Sequence, residues 1–78
     1  MKDLTISQLA KIIRSDWKSP YFGAVPYLDA MLQLIKITDR YGLDSASSII
    51  RYFLANASNW RGPVAREVKA ELNRRLKL

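Results

Sequence analysis

The residues best suited to chemistry lie in NASNWRGPVAREVKAELNRRLKL, residues 56–78. A tryptophan stands next to an arginine there, and the part from Arg61 onward holds six basic and two acidic residues. Helical spacing places Arg66, Lys69 and Lys77 on one flank of a helix, where they could contact an anion. A candidate site for a partner protein or for nucleic acid is therefore formed by Trp60, Arg61, Arg66, Lys69 and Lys77. The alternative is an ordinary solvated helix face.

A second group of residues could form a protein interface, because aromatic side chains and arginine are enriched in such interfaces. The sequence also allows Tyr21, Phe22 and Trp60 to fold back and close the open ends of a helical bundle. The aromatic residues and their polar neighbours that make up this candidate interface are Tyr21, Phe22, Ser48, Arg51 and Tyr52.

Catalytic chemistry is poorly represented in the chain. It has no histidine and no cysteine, so the most common general base and the strongest nucleophile are missing. Glu67 and Glu71 lie one helical turn apart, but Arg74 and Arg75 follow Glu71 at the spacing of intrahelical ion pairs. The three glycines stand alone and form no phosphate-binding loop. We therefore expect a protein that is not an enzyme and has neither a cofactor nor a metal site.

Four helices are predicted to position these residues, near 6–17, 26–41, 44–57 and 63–76. Apolar residues recur every three or four positions in each, and capping residues or prolines mark the starts: Thr5 or Ser7, Pro26, Asp44 and Pro63. Gly42 is expected to end the second helix. The prediction is an all-α fold, a compact four-helix domain that spans residues 1–78.

The second and third predicted helices have unusual faces. The second, residues 26–41, is apolar around most of its circumference, including Ile35 and Tyr41, and is placed at the centre of the domain. The third carries small residues on its outer side, which would allow close approach of another chain. The stretch ITDRYGLDSASSIIRYF could alternatively form a helix-turn-helix, although that unit would carry too few basic residues to clamp DNA.

The net charge of +6 and the pI near 10 favour an anionic partner, either an acidic protein or nucleic acid. The N-terminal residues lack the apolar segment of a signal peptide, and no apolar run is long enough to cross a membrane. These features predict a cytoplasmic location without membrane contact. The wide apolar arc of the second helix leaves homo-oligomerisation open.

Two segments, YFGAVPYLDAM and DSASSIIRYFLANASNWRGPVAREVKAEL, are similar to short uncharacterised proteins encoded by phages and prophage-like elements of bacteria. The resemblance covers residues from about Asp16 to Arg75 and rests on the overall string rather than on a catalytic motif. It implies a small intracellular accessory protein that binds the surface of a host protein. Such host proteins include components of the host defence machinery. It implies no activity, cofactor or binding residue.

Three functions are consistent with the sequence. The first is a non-enzymatic binding protein that acts on a host protein with an acidic surface. The second is a nucleic-acid-binding accessory protein that uses the basic C-terminal helix, and the third is a structural helix bundle that forms a defined oligomer.

Overall fold

The structure, a computed structural model, describes residues 1–77. Within that range the fold is predominantly helical and compact, as the sequence predicts, but it also contains a short β-hairpin. Its elements, in chain order, are α1 (Ile6–Asp16), a 3₁₀ helix (Phe22–Ala24), α2 (Val25–Met31), β1 (Arg40–Tyr41), β2 (Asp44–Ser45), α3 (Ala46–Ala55) and α4 (Pro63–Leu76).

Three helices begin and end close to their predicted bounds, because local capping signals fix them. Thr5 caps α1 with a complete capping box, in which the Gln8 amide donates to Thr5 Oγ1 at 3.0 Å and Thr5 N–H donates to Gln8 Oε1 at 2.7 Å. Pro63 lies in the first turn of α4, where its missing N–H is harmless. The predicted cap of α3, Asp44, is wrong, because the side chain of Ser45 accepts the Ser48 amide instead.

The prediction of one long helix over 26–41 is wrong, since α2 ends at Met31. The chain that follows supplies carbonyls to the start of α1: Ile6 N–H donates to Ile35 O at 3.0 Å, and Ser7 N–H donates to Leu34 O at 2.8 Å. The first amides of α1 have no partner within their own helix. Pairing them requires the segment after α2 to leave the helical conformation.

Asp39 stabilises the turn that replaces the second half of the predicted helix. Its carboxylate accepts hydrogen bonds from the backbone amides of Lys36 at 3.0 Å and Ile35 at 2.9 Å. These bonds, first that of Lys36, lower the pKa of Asp39. The backbone carbonyl of Asp39 also accepts from Ala46 N–H at 2.9 Å, which ties this turn to the start of α3.

The antiparallel hairpin of β1 and β2 occupies the place of the predicted helix end. Tyr41 pairs with Asp44, so Gly42 and Leu43 form a two-residue turn. Gly42 has a φ of +63°, a left-handed conformation that favours glycine at the first central position of such turns. Because residues 40–45 are extended and turned, the helix-turn-helix alternative is also wrong.

The hydrophobic core lies between the four α-helices. α2 packs against α3 and α1, and α4 packs against both α1 and α3. Tyr41 and Ile35, predicted to be core residues of a long helix, are instead about half exposed. The largest fully buried side chains, which come from all four helices and from Leu34 after α2, are Phe53, Ile6, Leu9, Ile13, Leu28, Met31, Leu34, Ile50, Leu72 and Val68.

Candidate functional site

Trp60 belongs to the core rather than to an exposed binding surface. Only 2% of the residue is exposed, its ring stacks on Trp17 at 5.8 Å, and it meets Phe53 edge-on at 6.4 Å. Its Nε1–H donates to Asp16 Oδ2 at 2.9 Å, so its polar atom is satisfied. We call Trp17, Phe53 and Trp60 the core aromatic cluster. The prediction that Trp60 folds back into the bundle is confirmed.

Lys69 holds the turn that carries Trp60. Its Nζ donates to the carbonyl oxygens of Ala57 and Trp60, each at 2.7 Å, and lies 5.7 Å from the centroid of the Trp60 ring. Such a cation over an indole face is attracted by the ring quadrupole. Burial, followed by the positive charge of Arg61, lowers the pKa of Lys69. This lysine is therefore fixed in place rather than extended into solvent.

An open cavity of about 310 Å³ lies where α4 begins. It brings together four of the five predicted C-terminal site residues. Lys77 is separated from them, because it follows the last residue of α4 and lies about 16 Å along the helix axis from Arg66 at 1.5 Å per residue. The predicted flank is thus divided in two. The residues that line the cavity are Trp60, Arg61, Gly62, Ala65, Arg66 and Lys69.

The remaining arginines of α4 are engaged in ion pairs. Arg74 and Arg75 donate to the carboxylate of Glu71, with an Arg75 Nε to Glu71 Oε2 distance of 2.6 Å, as their spacing predicts. The Arg74 hydrogen bond, assisted by Arg75, lowers the pKa of Glu71 to about 2. Arg75 is only 8% exposed and also donates to the carbonyl of Met1 at 2.9 Å. These charges hold the N-terminal segment against α4.

Of the five other aromatic residues, Tyr27 is half-buried against the core. The exposed ones are Tyr21, Phe22, Tyr41 and Tyr52. Phe22 is 79% exposed, and its ring lies 4.9 Å from that of Tyr21. Tyr52, 55% exposed, stacks on Tyr27 at 5.5 Å. The interpretation that Tyr21 and Phe22 close the end of the bundle is therefore wrong. The residue of this segment that enters the core is Ala24, which is fully buried.

Gly23 and Asn56 link the two aromatic pairs, of which Tyr27 is the half-buried member. The Tyr21 ring lies against Gly23, so a Cβ at this position would approach Tyr21 Cε2 to 2.6 Å and Asn56 Oδ1 to 3.0 Å. Asn56 Nδ2 in turn donates to the carbonyl of Tyr52 at 2.8 Å. We call the two aromatic pairs, Tyr21 with Phe22 and Tyr27 with Tyr52, the aromatic surface.

The two polar residues of the predicted interface differ in availability. Ser48 is half-buried, and its hydroxyl accepts a hydrogen bond from Ser45 Oγ at 3.0 Å, so it serves the start of α3. Arg51 is exposed, directly precedes Tyr52 in α3 and forms no ion pair with any residue in the described range 1–77. Arg51 is thus an exposed cation in the same helix as Tyr52.

The apolar side chains exposed at and near the hairpin are not predicted from the sequence. Leu43, in the turn, is 94% exposed, and Tyr41 and Ile35 are exposed nearby in the chain. A hairpin could have been predicted from Tyr41-Gly42-Leu43-Asp44, because a glycine favours a two-residue turn. The β-branched residues Ile35, Ile37 and Thr38 before it also favour extended backbone.

Other kinds of site are sparse in the described residues. Among residues 1–77, no group of three or more acidic side chains is placed to hold a metal ion. No helix within the same range has the length and apolarity needed to cross a membrane. A second, smaller cavity of about 150 Å³ lies between α1 and α2 and is lined by Arg14, Trp17, Lys18, Pro20, Val25 and Leu28.

The chain was compared with models of protein families, with curated proteins and with solved structures, and it matches none of them. The resemblance to phage-encoded proteins therefore stays a prediction from the sequence.

Proposed function

We propose that this protein is a non-enzymatic binding protein whose aromatic surface docks onto a partner protein with acidic side chains. The observation that carries the proposal is the exposure of Tyr21, Phe22 and Tyr52, in two ring pairs that Gly23 and Asn56 bring near one another. Single exposed apolar residues are ordinary, but several exposed aromatic rings close together are typical of an interaction site. Aromatic anchors contribute most of the binding energy in many interfaces.

The rings of the aromatic surface are already constrained before any partner binds. Tyr52 is stacked on Tyr27, and Tyr21 is seated against Gly23 and Phe22. Tyrosine and phenylalanine also have only two side-chain torsions to immobilise. Both features reduce the conformational entropy that is lost when a complex forms.

Charge supports a partner that is acidic. The chain has a net charge of +6, and Arg51, which precedes Tyr52 in α3, is exposed. A carboxylate on the partner could accept two hydrogen bonds from the planar guanidinium of Arg51. The remaining positive charge would accelerate the encounter with an acidic surface, most strongly at low salt.

The biological setting belongs to the same proposal. The resemblance to proteins of phages and prophage-like elements favours a small accessory protein in the bacterial cytoplasm that occupies a surface of a host protein. Inhibition of host defence machinery is one outcome of such binding. A second copy of this chain is the alternative occupant of the aromatic surface, as expected for a structural oligomer.

The test is affinity capture from a nuclease-treated bacterial lysate with quantitative mass spectrometry. The test variant replaces Phe22 and Tyr52 with serine, and the matched control replaces the exposed Ile35 and Leu43 with serine. We expect a protein that is retained by the natural chain and by the control, and lost with the test variant. If the test variant and the control variant capture the same amount of this protein, docking through the aromatic surface is refuted.

Two further measurements complete the test. Gly23→Ala forces the Tyr21 ring to move without altering its chemistry, and we expect it to weaken capture of the same protein. Sedimentation velocity of the purified chain measures its oligomeric state and so tests whether a second copy binds the aromatic surface. An oligomer that dissociates with the Phe22 and Tyr52 variant would mean that the partner is a second copy.

A further inference from the structure

Three cationic residues line the open cavity at the start of α4. Arg61, Arg66 and Lys69 all line it, together with Gly62, Ala65 and the edge of the buried Trp60. None of these lining residues, all within the described range 1–77, is acidic. The cavity therefore collects three positive charges without a counter-ion of its own.

The backbone adds positive potential at the same place. The first amides of a helix lack partners and carry the positive end of the helix dipole. The starts of α1 and α3 are capped by the side chains of Thr5 and Ser45. Among residues 1–77, by contrast, no side chain caps α4, and its first turn contains no acidic residue. Cations at this end of a helix are unfavourable unless an anion joins them.

Lys69 shows that the cations affect one another. Burial is the main cause of its lowered pKa, and the charge of Arg61 is the second. Two of the three Lys69 donors are used by the carbonyls of Ala57 and Trp60, which fixes the ammonium at the edge of the cavity. The lysine is thus held in position before a ligand arrives.

We propose that this cavity is a binding site for the phosphate group of a phosphate monoester, held by Arg61, Arg66 and Lys69. A monoester carries up to two negative charges and three terminal oxygens, which match several converging donors. Three cationic residues around a single cavity suit a compact anion better than an extended backbone, along which contacts follow a groove. The site is independent of the aromatic surface and uses none of its residues.

The rest of the ligand would extend into solvent rather than stack on tryptophan. The cavity is open, so the group esterified to the phosphate has room. One neighbour of the Trp60 ring is Trp17, and the Lys69 ammonium lies over the ring. Base stacking on Trp60 is therefore excluded, and recognition rests on the phosphate itself.

The first experiment is an NMR titration of the full chain with inorganic phosphate at constant ionic strength, with chloride as the reference anion. We expect saturable shifts of the backbone amides of Gly62, Val64, Ala65 and Arg66. Arg66→Gln should weaken this binding about tenfold, the effect of one charge-assisted hydrogen bond. Lys11→Gln removes the same charge from an exposed position on α1 and should leave binding unchanged.

Absence of saturable shifts in these amides would overturn the proposal, and so would equal weakening by Arg66→Gln and Lys11→Gln. Thermal unfolding of both variants establishes that they are folded, which the exposure of both side chains leads us to expect.

The second experiment identifies the source of the phosphate. A short oligonucleotide with a 5′-phosphate is compared with the same oligonucleotide ending in a 5′-hydroxyl, and with an oligoglutamate peptide. Tighter binding of the 5′-phosphorylated strand than of inorganic phosphate would support a nucleic-acid end, and equal binding would support a small phosphorylated molecule. Equal binding of the two oligonucleotides, or comparable binding of the peptide, would overturn the assignment to a monoester.

Discussion

The core aromatic cluster and the aromatic surface are made of similar side chains with opposite exposure. Trp17, Phe53 and Trp60 are at most 6% exposed, whereas Tyr21, Phe22 and Tyr52 are between 43% and 79% exposed. Trp60 has both an apolar enclosure and a carboxylate for its N–H, and Lys69 fixes its backbone. Tyr21 and Phe22 instead precede Ala24, whose small side chain occupies the core position.

The difference teaches that an aromatic residue in a loop is not by itself evidence of either burial or binding. Trp60 lies in the connection between α3 and α4, where Asp16 accepts the indole N–H of Trp60 and Lys69 donates to the carbonyl of Ala57. Tyr21 lies in a connection that contributes Trp17 and Ala24 to the core and leaves Tyr21 and Phe22 exposed. Burial is decided by which residue of the loop faces the core.

The largest expected effect is that of Trp60→Ala. It removes a buried indole from contact with Trp17 and Phe53, which should lower the free energy of unfolding by about 3–5 kcal/mol. Chemical denaturation followed by far-ultraviolet circular dichroism measures this loss. A loss below about 1 kcal/mol would contradict the assignment of Trp60 to the core.

The next effect concerns Glu71, which anchors α4 to the N-terminal segment through Arg75. Glu71→Gln should lower the free energy of unfolding at pH 7 by about 2 kcal/mol, because the buried Arg75 loses its anionic partner. The equivalent change at the exposed Glu67 is the control and should have little effect.

The pH dependence of Glu71 has a defined sign. Its pKa is about 2 in the folded state against an ordinary value of 4.5, so the unfolded chain takes up this proton first. The stabilisation is complete above about pH 4.5 and is lost as the pH falls towards 2. Asp39, whose pKa is also lowered, contributes in the same direction. The free energy of unfolding, measured by tryptophan fluorescence in denaturant, should fall less between pH 5 and pH 2 for Glu71→Gln than for the natural chain.

A smaller effect is expected from Lys69→Met. The methionine retains much of the apolar contact with Trp60, but the carbonyls of Ala57 and Trp60 lose their donor. We expect the free energy of unfolding to fall by about 1–2 kcal/mol, measured by thermal denaturation. Arg66→Met, at an exposed position one turn earlier in α4, serves as the control. An equal effect of both variants would show that Lys69 has no special structural role.

The smallest effect is expected from Phe22→Ser. Because the ring is 79% exposed, its loss should change the free energy of unfolding by no more than about 0.5 kcal/mol. The same variant should weaken partner binding if the aromatic surface is used. A large loss of stability would make Phe22 a core residue and remove the contrast with Trp60.

Much of the helical fold could be predicted because its signals are local. Thr5 with Gln8 marks the start of α1, and Gly62 with Pro63 marks the start of α4. The second half of the predicted second helix could not be recognised from its apolar residues. Leu34 is buried and Ile35 is exposed. A buried leucine followed by an exposed isoleucine occurs in helices as well as in turns. The weak helix preference of Ile35, Ile37 and Thr38 is a local signal against a helix there, in addition to the glycine turn at Gly42.

The candidate site was partly predictable for a similar reason. Residue types and helical spacing identified the cations at Arg61, Arg66 and Lys69. Spacing alone also grouped Lys77 with them, because periodicity reports the side of a helix and not the position along it. The exposed Leu43 was not found, because its hairpin replaces a predicted helix end.

The sequence by itself determined the starts of α1 and α4, the predominance of helix and the excess of positive charge, since these depend on neighbouring residues or on composition. Only the tertiary structure decided that α2 ends at Met31, because the start of α1 takes the carbonyls of Leu34 and Ile35 from a distant part of the chain. It likewise decided that Trp60 is buried, that Tyr21 and Phe22 are exposed, and that Lys69 joins the cavity. Each of these outcomes depends on a contact between segments that are remote in sequence, and no local preference encodes such a contact.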